Sequence, residues 1–277
     1  MTQIPCMKTR NSLVILFFLS FTVVVTGCGK DLFTAATPPP PSTLGTGNWF
    51  ITGFYPSGTE VASFSFGGSL INSGGQISGV FHISQSCFGN GSTDVPYIGT
   101  LDDKNTLSIT SSSVNGETLA FLGTLSSDGS SISDGTITVR GSCTGAIMIT
   151  PGSGEEIEAI RVPSLTGSWG PGSHTYLVGF SEQLTQASTP DLHGDYALTG
   201  TVTVTGSACF TQGTLQDGSF VSGGLGRQII RMNDGSTVEA AMNLYSNGPT
   251  SGRPMLLLTS GTISGGNCNG TIEVGLE

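Results

Sequence analysis

Apolar and polar residues alternate along much of the chain, with the period of two that is typical of β-strands. Between Ala197 and Ser207, threonines occupy one set of alternating positions, and Leu198, Val202 and Val204 lie in the other set. Successive side chains of a strand point to opposite faces of its sheet. The pattern therefore predicts a strand with one apolar face and one face of threonines.

Asn-Gly and Asp-Gly pairs lie between many of the alternating runs. Both pairs accept the positive φ angles that two-residue hairpin turns require. The pairs that we interpret as turns begin at Asn115, Asp128, Asp134, Asp217, Asp234 and Asn269. Strands joined by such turns predict an all-β protein, with an antiparallel meander of seven or eight strands in each half. A meander of this size closes as a barrel or stacks as a β-sandwich; we expect the barrel.

The same landmarks recur in the same order in the two halves of the chain. Each half has a Gly-x-Trp sequence, then a Cys-Phe pair, and then a Gly-Thr-Ile sequence before a second cysteine. In chain order they are marked by Trp49, Cys87 and Cys143, and again by Trp169, Cys209 and Cys268. Recurrence at this spacing indicates a duplication. It predicts β-domains at 44–150 and 165–277, joined by a polar linker at 151–164.

Residues 1–27 have the layout of an export signal. Lys8 and Arg10 precede an apolar run from Leu13 to Val25, and two small residues follow it. A helix that spans a membrane needs about 20 residues, and this run has 13. We therefore interpret the segment as a cleaved signal peptide and not as a transmembrane helix.

The sequence Val25-Thr26-Gly27-Cys28 resembles the lipobox of bacterial lipoproteins. In that family the cysteine sulfur receives diacylglycerol, the leader is cut before the cysteine, and the freed amine is acylated. The resemblance implies that Cys28 is the lipidated first residue of a mature chain that is exported and anchored to the cell envelope. Two or three acyl chains together make a stable anchor. The alternative is an ordinary secreted protein in which Cys28 stands at this position by chance.

Residues 28–43 contain four consecutive prolines, which favour an extended and semi-rigid spacer. Such a spacer holds a folded domain away from the lipid surface. In two-membrane bacteria, lipoproteins with Asp directly after the lipidated cysteine are typically retained at the inner membrane. Gly29 stands at that position here. The resemblance therefore favours the outer membrane in a cell that has one.

Four of the six cysteines remain after Cys6 is removed with the leader and Cys28 is assigned to the lipid. In an oxidising compartment, four cysteines allow three disulfide pairings. The duplication favours the pairing within each half, which joins Cys87 to Cys143 and Cys209 to Cys268. The alternative is four buried free thiols.

Charged residues make up only 10% of the chain, and acidic residues outnumber basic ones. Loss of Lys8 and Arg10 with the leader leaves 7 basic residues (9 minus 2) against 19 acidic ones, a formal charge of −12. This balance argues against a nucleic-acid partner and against an electrostatic hold on anionic lipid.

The Gly-x-Trp sequences at Trp49 and Trp169 are similar to those on the first strand of lipocalins and avidins. Those families are eight-stranded up-and-down barrels, and the resemblance implies a carrier of a small apolar ligand. Avidin-type biotin sites are rich in tryptophan, whereas each half here has one, so biotin is not implied. We interpret both tryptophans as plugs at one end of a barrel core.

Few residues are suited to catalysis or to metal binding. Asp191, His193 and Asp195 would share one face of a strand and could hold a divalent metal, but Pro190 and Gly194 beside them favour a solvated turn. His82 is out of phase with its apolar neighbours, which predicts that it faces solvent or the side opposite the core. Common hydrolase, zinc-protease and phosphate-loop motifs do not occur. We predict no catalytic, cofactor-binding or metal-ligating residue.

These observations predict a lipid-anchored, non-enzymatic module that contacts an envelope polymer or another protein. The alternative is the small apolar-ligand carrier that the lipocalin resemblance implies. The volume inside the barrels separates the two, because a carrier needs an apolar cavity of several hundred Å³. Metal-dependent catalysis around Asp191, His193 and Asp195 is a third hypothesis.

Overall fold

The computed structural model describes the backbone of residues 44–57, 60–83, 93–141, 147–157, 165–170, 176–245, 254–266 and 268–275. Every regular secondary-structure element in these ranges is a β-strand, which confirms the all-β prediction. Among the described residues there is no helix of the length and hydrophobicity that a membrane crossing requires. The predicted signal peptide, Cys28 and the spacer at 28–43 lie outside the described ranges.

The first eight strands form a closed antiparallel barrel in which each strand pairs with the next along the chain. They are β1 (Gly47–Ser57), β2 (Glu60–Ser73), β3 (Gln76–Ile83), β4 (Thr93–Leu101), β5 (Thr106–Ser111), β6 (Thr118–Leu125), β7 (Ser131–Arg140) and β8 (Ile147–Glu156). The barrel closes where β8 pairs with β1, with Trp49 opposite Glu156. The barrel prediction is therefore confirmed for this half.

Strand β8 corrects the predicted domain boundary at residue 150. The sequence predicts a linker at residues 151–156, but these residues lie in β8, which pairs with both β1 and β7. Their glycines allow core side chains to approach closely: a Cβ atom on Gly152 would lie 2.8 Å from Cγ1 of Ile137, and one on Gly154 would lie 3.0 Å from Cγ1 of Ile51. The glycines, which are typical of a linker in sequence, here make room for side chains in the core of the barrel.

Nine strands form the second sheet. They are β9 (Leu165–Gly170), β10 (Tyr176–Gln186), β11 (Tyr196–Thr205), β12 (Gln212–Leu215), β13 (Phe220–Ser222), β14 (Leu225–Met232), β15 (Thr237–Tyr245), β16 (Met255–Ser264) and β17 (Gly270–Gly275). Strands β12 and β13 both lie between β11 and β14, as two pieces of one strand. Because β9 pairs with both β10 and β17, and β10 pairs with β11, the pairings make a closed circuit of eight positions.

The two circuits have the same order, as the duplication predicts. The Gly-x-Trp sequences lie on the first strand of each circuit, β1 and β9, and the Gly-Thr-Ile sequences lie on the seventh, β7 and β16. The second half contains the predicted disulfide between Cys209 and Cys268, which joins the connection after β11 to the one before β17. Cys87 and Cys143 lie outside the described residues.

Most of the predicted turns that the structure describes do join consecutive strands. Asn115, Gly116, Gly129, Gly218 and Gly235 adopt positive φ angles in such connections. The pair at Asp134 is an exception: it lies inside β7, where the pairing with β8 shifts register between residues 132 and 135. This pair therefore forms a β-bulge and not the predicted hairpin turn.

Aromatic side chains fill the first barrel. The Phe66 ring lies with its centroid 4.9 Å from that of Phe81, and Phe81 stacks on Tyr97 at 4.2 Å. Trp49 is fully buried, and its indole Nε1 donates a hydrogen bond of 2.8 Å to the carbonyl oxygen of Gly45. The prediction of a tryptophan plug is confirmed for Trp49. The side chain of Trp169 lies outside the part that the structure describes.

Candidate functional site

The two barrels contact each other through residues that point outward from the first barrel. Phe50, on the outer face of β1, packs against the core of the second barrel. The Tyr196 hydroxyl donates a 2.9 Å hydrogen bond to the carbonyl oxygen of Gly47, and the amide of Gly223 donates one to Oδ1 of Asn48. Asn48 is only 2% exposed. The outer face of β1 is therefore covered by the second barrel.

Two glycines bring the backbones of the barrels together at this junction. A Cβ atom on Gly67 of β2 would lie 2.6 Å from the Cα atom of Gly223, in the turn between β13 and β14. Gly223 has a φ angle of +57°, which side chains disfavour, and a Cβ atom on it would lie 2.7 Å from the Gly68 nitrogen. The junction requires glycine on both sides.

The Gly223→Ala variant is expected to lose more stability than Gly74→Ala. Both glycines have positive φ angles, +57° and +63°, but a Cβ atom on Gly74 would meet nothing within 4 Å. Gly74→Ala should therefore show only the backbone cost of about 1 kcal/mol, and Gly223→Ala about 1–2 kcal/mol more for overpacking. Urea unfolding followed by circular dichroism measures both. Equal losses in the two variants would contradict the tight junction.

A chain of two histidines and two aspartates crosses the junction beside these glycines. His82 of β3 contacts Oδ1 of Asp94 through Nδ1 at 2.8 Å, and Oδ1 of Asp195 through Nε2 at 2.9 Å. His193 contacts the other oxygen of Asp94 through Nδ1 at 2.8 Å. The order is His193, Asp94, His82, Asp195. His82 and Asp94 belong to the first half of the chain, so two of the three contacts join the halves.

Local structure explains how each of these side chains is positioned. His82 and Asp94 are direct neighbours across the β3–β4 pair. The segment before β11 turns around Asp191, whose Oδ1 accepts hydrogen bonds from the amides of His193 at 2.8 Å and Asp195 at 3.0 Å. Gly194 fits against the first barrel, where a Cβ atom would lie 2.8 Å from the Val80 carbonyl oxygen. The turn thus presents His193 and Asp195 to the first barrel.

The predicted turn at Asp191 is confirmed, because residues 191–195 lie in the connection between β10 and β11. Asp191 holds the turn through its backbone contacts, while His193 and Asp195 bind Asp94 and His82. In the part of the chain that the structure describes, no group of three or more His, Cys, Asp or Glu side chains could hold a metal ion. Asp191, His193 and Asp195 precede the first residue of β11, Tyr196, so they do not share the face of a strand.

His82 points away from the core of its barrel, as its phase predicts, but it is not an isolated surface residue. Its side chain is only 9% exposed, because the second barrel covers it. Asp94 was not identified from the sequence; its pairing with an outward histidine is visible only once the strand register is known. His174 lies outside the described residues.

The aspartates around His82 and His193 favour the charged form of both histidines. Burial lowers the pKa of His82, but hydrogen bonds and charge interactions with Asp195 and Asp94 outweigh it and raise the pKa above its usual value. The hydrogen bond to Asp94 raises the pKa of His193, with further contributions from the charges of Asp94, Asp191 and Asp195. Only an imidazolium donates from both ring nitrogens. The two-carboxylate contact of His82 is therefore a contact of its protonated form.

A second polar pair lies inside the second barrel. Glu182 of β10 and Gln228 of β14 occupy inward positions and are 5% and 0% exposed. Gln228 donates a 2.9 Å hydrogen bond to Oε2 of Glu182, while Oε1 of each side chain has no partner. Burial raises the pKa of Glu182 to about 7. In the sequence, Glu182 stands in the same alternating set as Val178 and Phe180, and this pattern could have indicated a buried carboxyl group.

Comparisons of the chain with protein-family models, with curated proteins and with solved structures each gave no match. The lipoprotein and lipocalin resemblances therefore rest on the residues that carry them.

Proposed function

We propose that the protein is a lipid-anchored module of the cell envelope that acts by binding or by structural contact and not by catalysis. The observation that carries the proposal is the pair of joined strand circuits with interiors occupied by side chains. Such a body offers its outer surface to partners. Its polar contacts at the junction favour a fixed arrangement of the two barrels.

The outer surface has the chemistry of a hydrogen-bonding face. On β11, Thr199, Thr201, Thr203 and Thr205 are exposed, while Leu198, Val202 and Val204 at alternate positions are buried. Two of these threonines line an outer groove of about 320 Å³ with Gln212, Thr214, Arg231 and Asn233. Hydroxyl, amide and guanidinium groups suit a polar partner such as an envelope polymer or a protein surface. The acidic balance of the chain argues against nucleic acid.

The side chains that pack inside both barrels, in the part of the chain that the structure describes, favour this function over the carrier of a small apolar ligand. Phe66, Phe81, Tyr97 and Phe121 contact one another inside the first barrel. The core of the second barrel contains bulky residues from most of its strands. A carrier instead needs an apolar cavity of several hundred Å³. Native mass spectrometry of the protein, gently extracted from its own membrane, tests the alternative directly: a bound apolar molecule inside the chain would favour the carrier.

Export and anchoring follow from the N-terminal residues. The leader directs the chain out of the cytoplasm, and Cys28 receives lipid, with Gly29 favouring the outer membrane where one exists. The disulfide between Cys209 and Cys268 supports export, because such bonds persist in oxidising compartments.

The anchor is tested with the Cys28→Ser and Cys6→Ser variants of the full chain. Membrane fractionation and mass spectrometry should find the wild type and Cys6→Ser as acylated, membrane-bound chains that begin at Cys28. Cys28→Ser should be released from the membrane or remain as an uncut precursor. A mature Cys28→Ser chain that stays on the membrane like the wild type would refute the lipid anchor. The position of Cys6 inside the leader makes it the matched control.

A further inference from the structure

The four side chains of the histidine–aspartate chain lie at the junction of the barrels, and water reaches one end of it. His193 is 68% exposed and Asp94 is 43% exposed, whereas His82 is 9% exposed. Protons can therefore reach the chain without unfolding of either barrel. Its two contacts between the halves, from His82 to Asp195 and from His193 to Asp94, both involve a histidine.

We propose that the histidine–aspartate chain is a proton-controlled latch, which holds the barrels together in mildly acidic conditions and loosens their junction as the medium becomes alkaline. The latch belongs to the fold itself and does not depend on the ligand or on the anchor.

The charges of the histidine–aspartate chain explain why its contacts depend on protonation. With both histidines protonated, two cations alternate with two carboxylates, and each ring nitrogen in contact with a carboxylate carries a hydrogen to donate. A neutral His82 has one N–H group, so one of its two carboxylates then faces a nitrogen lone pair. The carboxylate and the lone pair then repel each other, because the contacts of His82 are only 2.8 and 2.9 Å long. Loss of the proton from His193 also weakens its bond to Asp94.

The charged groups around the histidines all act in the same direction. Asp94 of β4 faces both rings, while Asp195 and Asp191 approach from the turn before β11. The neighbouring strand β2 contributes Gly67, opposite His82, which carries no charge. Carboxylates on both sides therefore favour the protonated rings.

The direction of the pH dependence follows from the raised pKa values. A histidine with a higher pKa in the closed junction than its usual 6.5 contributes its full stabilisation below pH 6.5. That stabilisation is lost as the pH rises through the higher value of the closed state. Two other hydrogen bonds across the junction, from Tyr196 to Gly47 and from Gly223 to Asn48, do not titrate in this range, because burial raises the pKa of the Tyr196 hydroxyl further above its usual value of 10. Without the histidine contacts the junction opens more often, and each opening exposes the Gly223 amide to exchange. The junction therefore loosens locally and the barrels stay folded.

Hydrogen–deuterium exchange of the full chain in detergent measures the loosening. Peptides that contain the Gly223 amide report the junction, and peptides from β5 report the interior of the first barrel. After correction for the intrinsic rates, protection at Gly223 should fall several-fold between about pH 5.5 and about pH 8.5, because the stabilisation from the protonated histidines is lost as the pH rises. Protection in β5 should stay constant.

The His82→Gln variant distinguishes the latch from a general effect of pH. Glutamine donates to one carboxylate and does not titrate, so the variant should show low protection at Gly223 at both pH values. Constant protection in the wild type, or an equal fall in the wild type and the variant, would overturn the proposal. An NMR titration of the wild-type histidine rings gives a second measurement that needs no variant: a pKa of His82 at or below 6.5 would also overturn it.

Discussion

The Trp49→Ala variant is expected to lower the free energy of unfolding of the first barrel by about 4 kcal/mol. Trp49 is fully buried and donates its indole hydrogen bond to the carbonyl oxygen of Gly45. Truncation of a buried tryptophan to alanine typically costs about 3–5 kcal/mol, because it removes apolar contact and leaves a cavity. The variant also leaves the Gly45 carbonyl without its donor. Both effects act at the first strand of the barrel, beside its closure with β8.

Urea unfolding followed by far-ultraviolet circular dichroism measures this loss. Leu192→Ala is the matched control, because Leu192 is 95% exposed at the tip of the turn before β11. Its truncation should change stability by less than about 0.5 kcal/mol. Trp49→Phe keeps an aromatic ring but loses the indole N–H group, so an intermediate loss is expected. A loss below about 1 kcal/mol for Trp49→Ala would mean that the tryptophan is not a core plug.

The strand pattern was predictable wherever local alternation decided the structure. On β11 the positions of Leu198, Val202 and Val204 are buried and the threonines are exposed, as the sequence indicates. The duplication likewise predicted the pairing of Cys209 with Cys268, because it relies on matching landmarks and not on geometry. Residues 151–156 of β8 are predicted as a linker, because their glycines resemble one until their contacts with Ile51 and Ile137 are known.

The junction could not be predicted, because alternation tells which face of a strand points outward but not what covers that face. Asn48, Phe50 and His82 all point outward from the first barrel, yet the second barrel covers them. Phe50 was the one available signal, since a large aromatic residue at an outward position favours a contact. The meeting of Asp94 with His193, 99 positions apart in the chain, depends on the placement of two barrels.

Glu182 occupies an inward position of its strand, where the alternation pattern favours an apolar side chain and burial of a carboxyl costs free energy. An inward position in a barrel strand favours an apolar residue, and a lone carboxyl there loses its hydration. Gln228 satisfies one oxygen and leaves the other without a donor. Ionisation of the Glu182 carboxyl in the folded protein therefore lowers the stability of the second barrel.

The Glu182→Gln variant is expected to stabilise the second barrel at alkaline pH and to leave it nearly unchanged in acid. The pKa of Glu182 rises from its usual 4.5 to about 7 on folding. Below pH 4.5 the carboxyl is protonated in both states. As the pH rises toward 7, the unfolded chain loses this proton and the folded chain keeps it, so stability falls by about 3 kcal/mol. Glutamine keeps the acceptor for Gln228 and removes this loss.

Urea unfolding at about pH 4 and about pH 8 measures the difference between the variant and the wild type, which cancels the titration of all other groups. Glu239→Gln is the control, because Glu239 is 52% exposed and pairs with Arg227 at the surface. Its change should stay within about 1 kcal/mol and should destabilise slightly. If Glu182→Gln gains nothing at alkaline pH, the carboxyl reaches water in the folded protein and the second barrel is hydrated at this position.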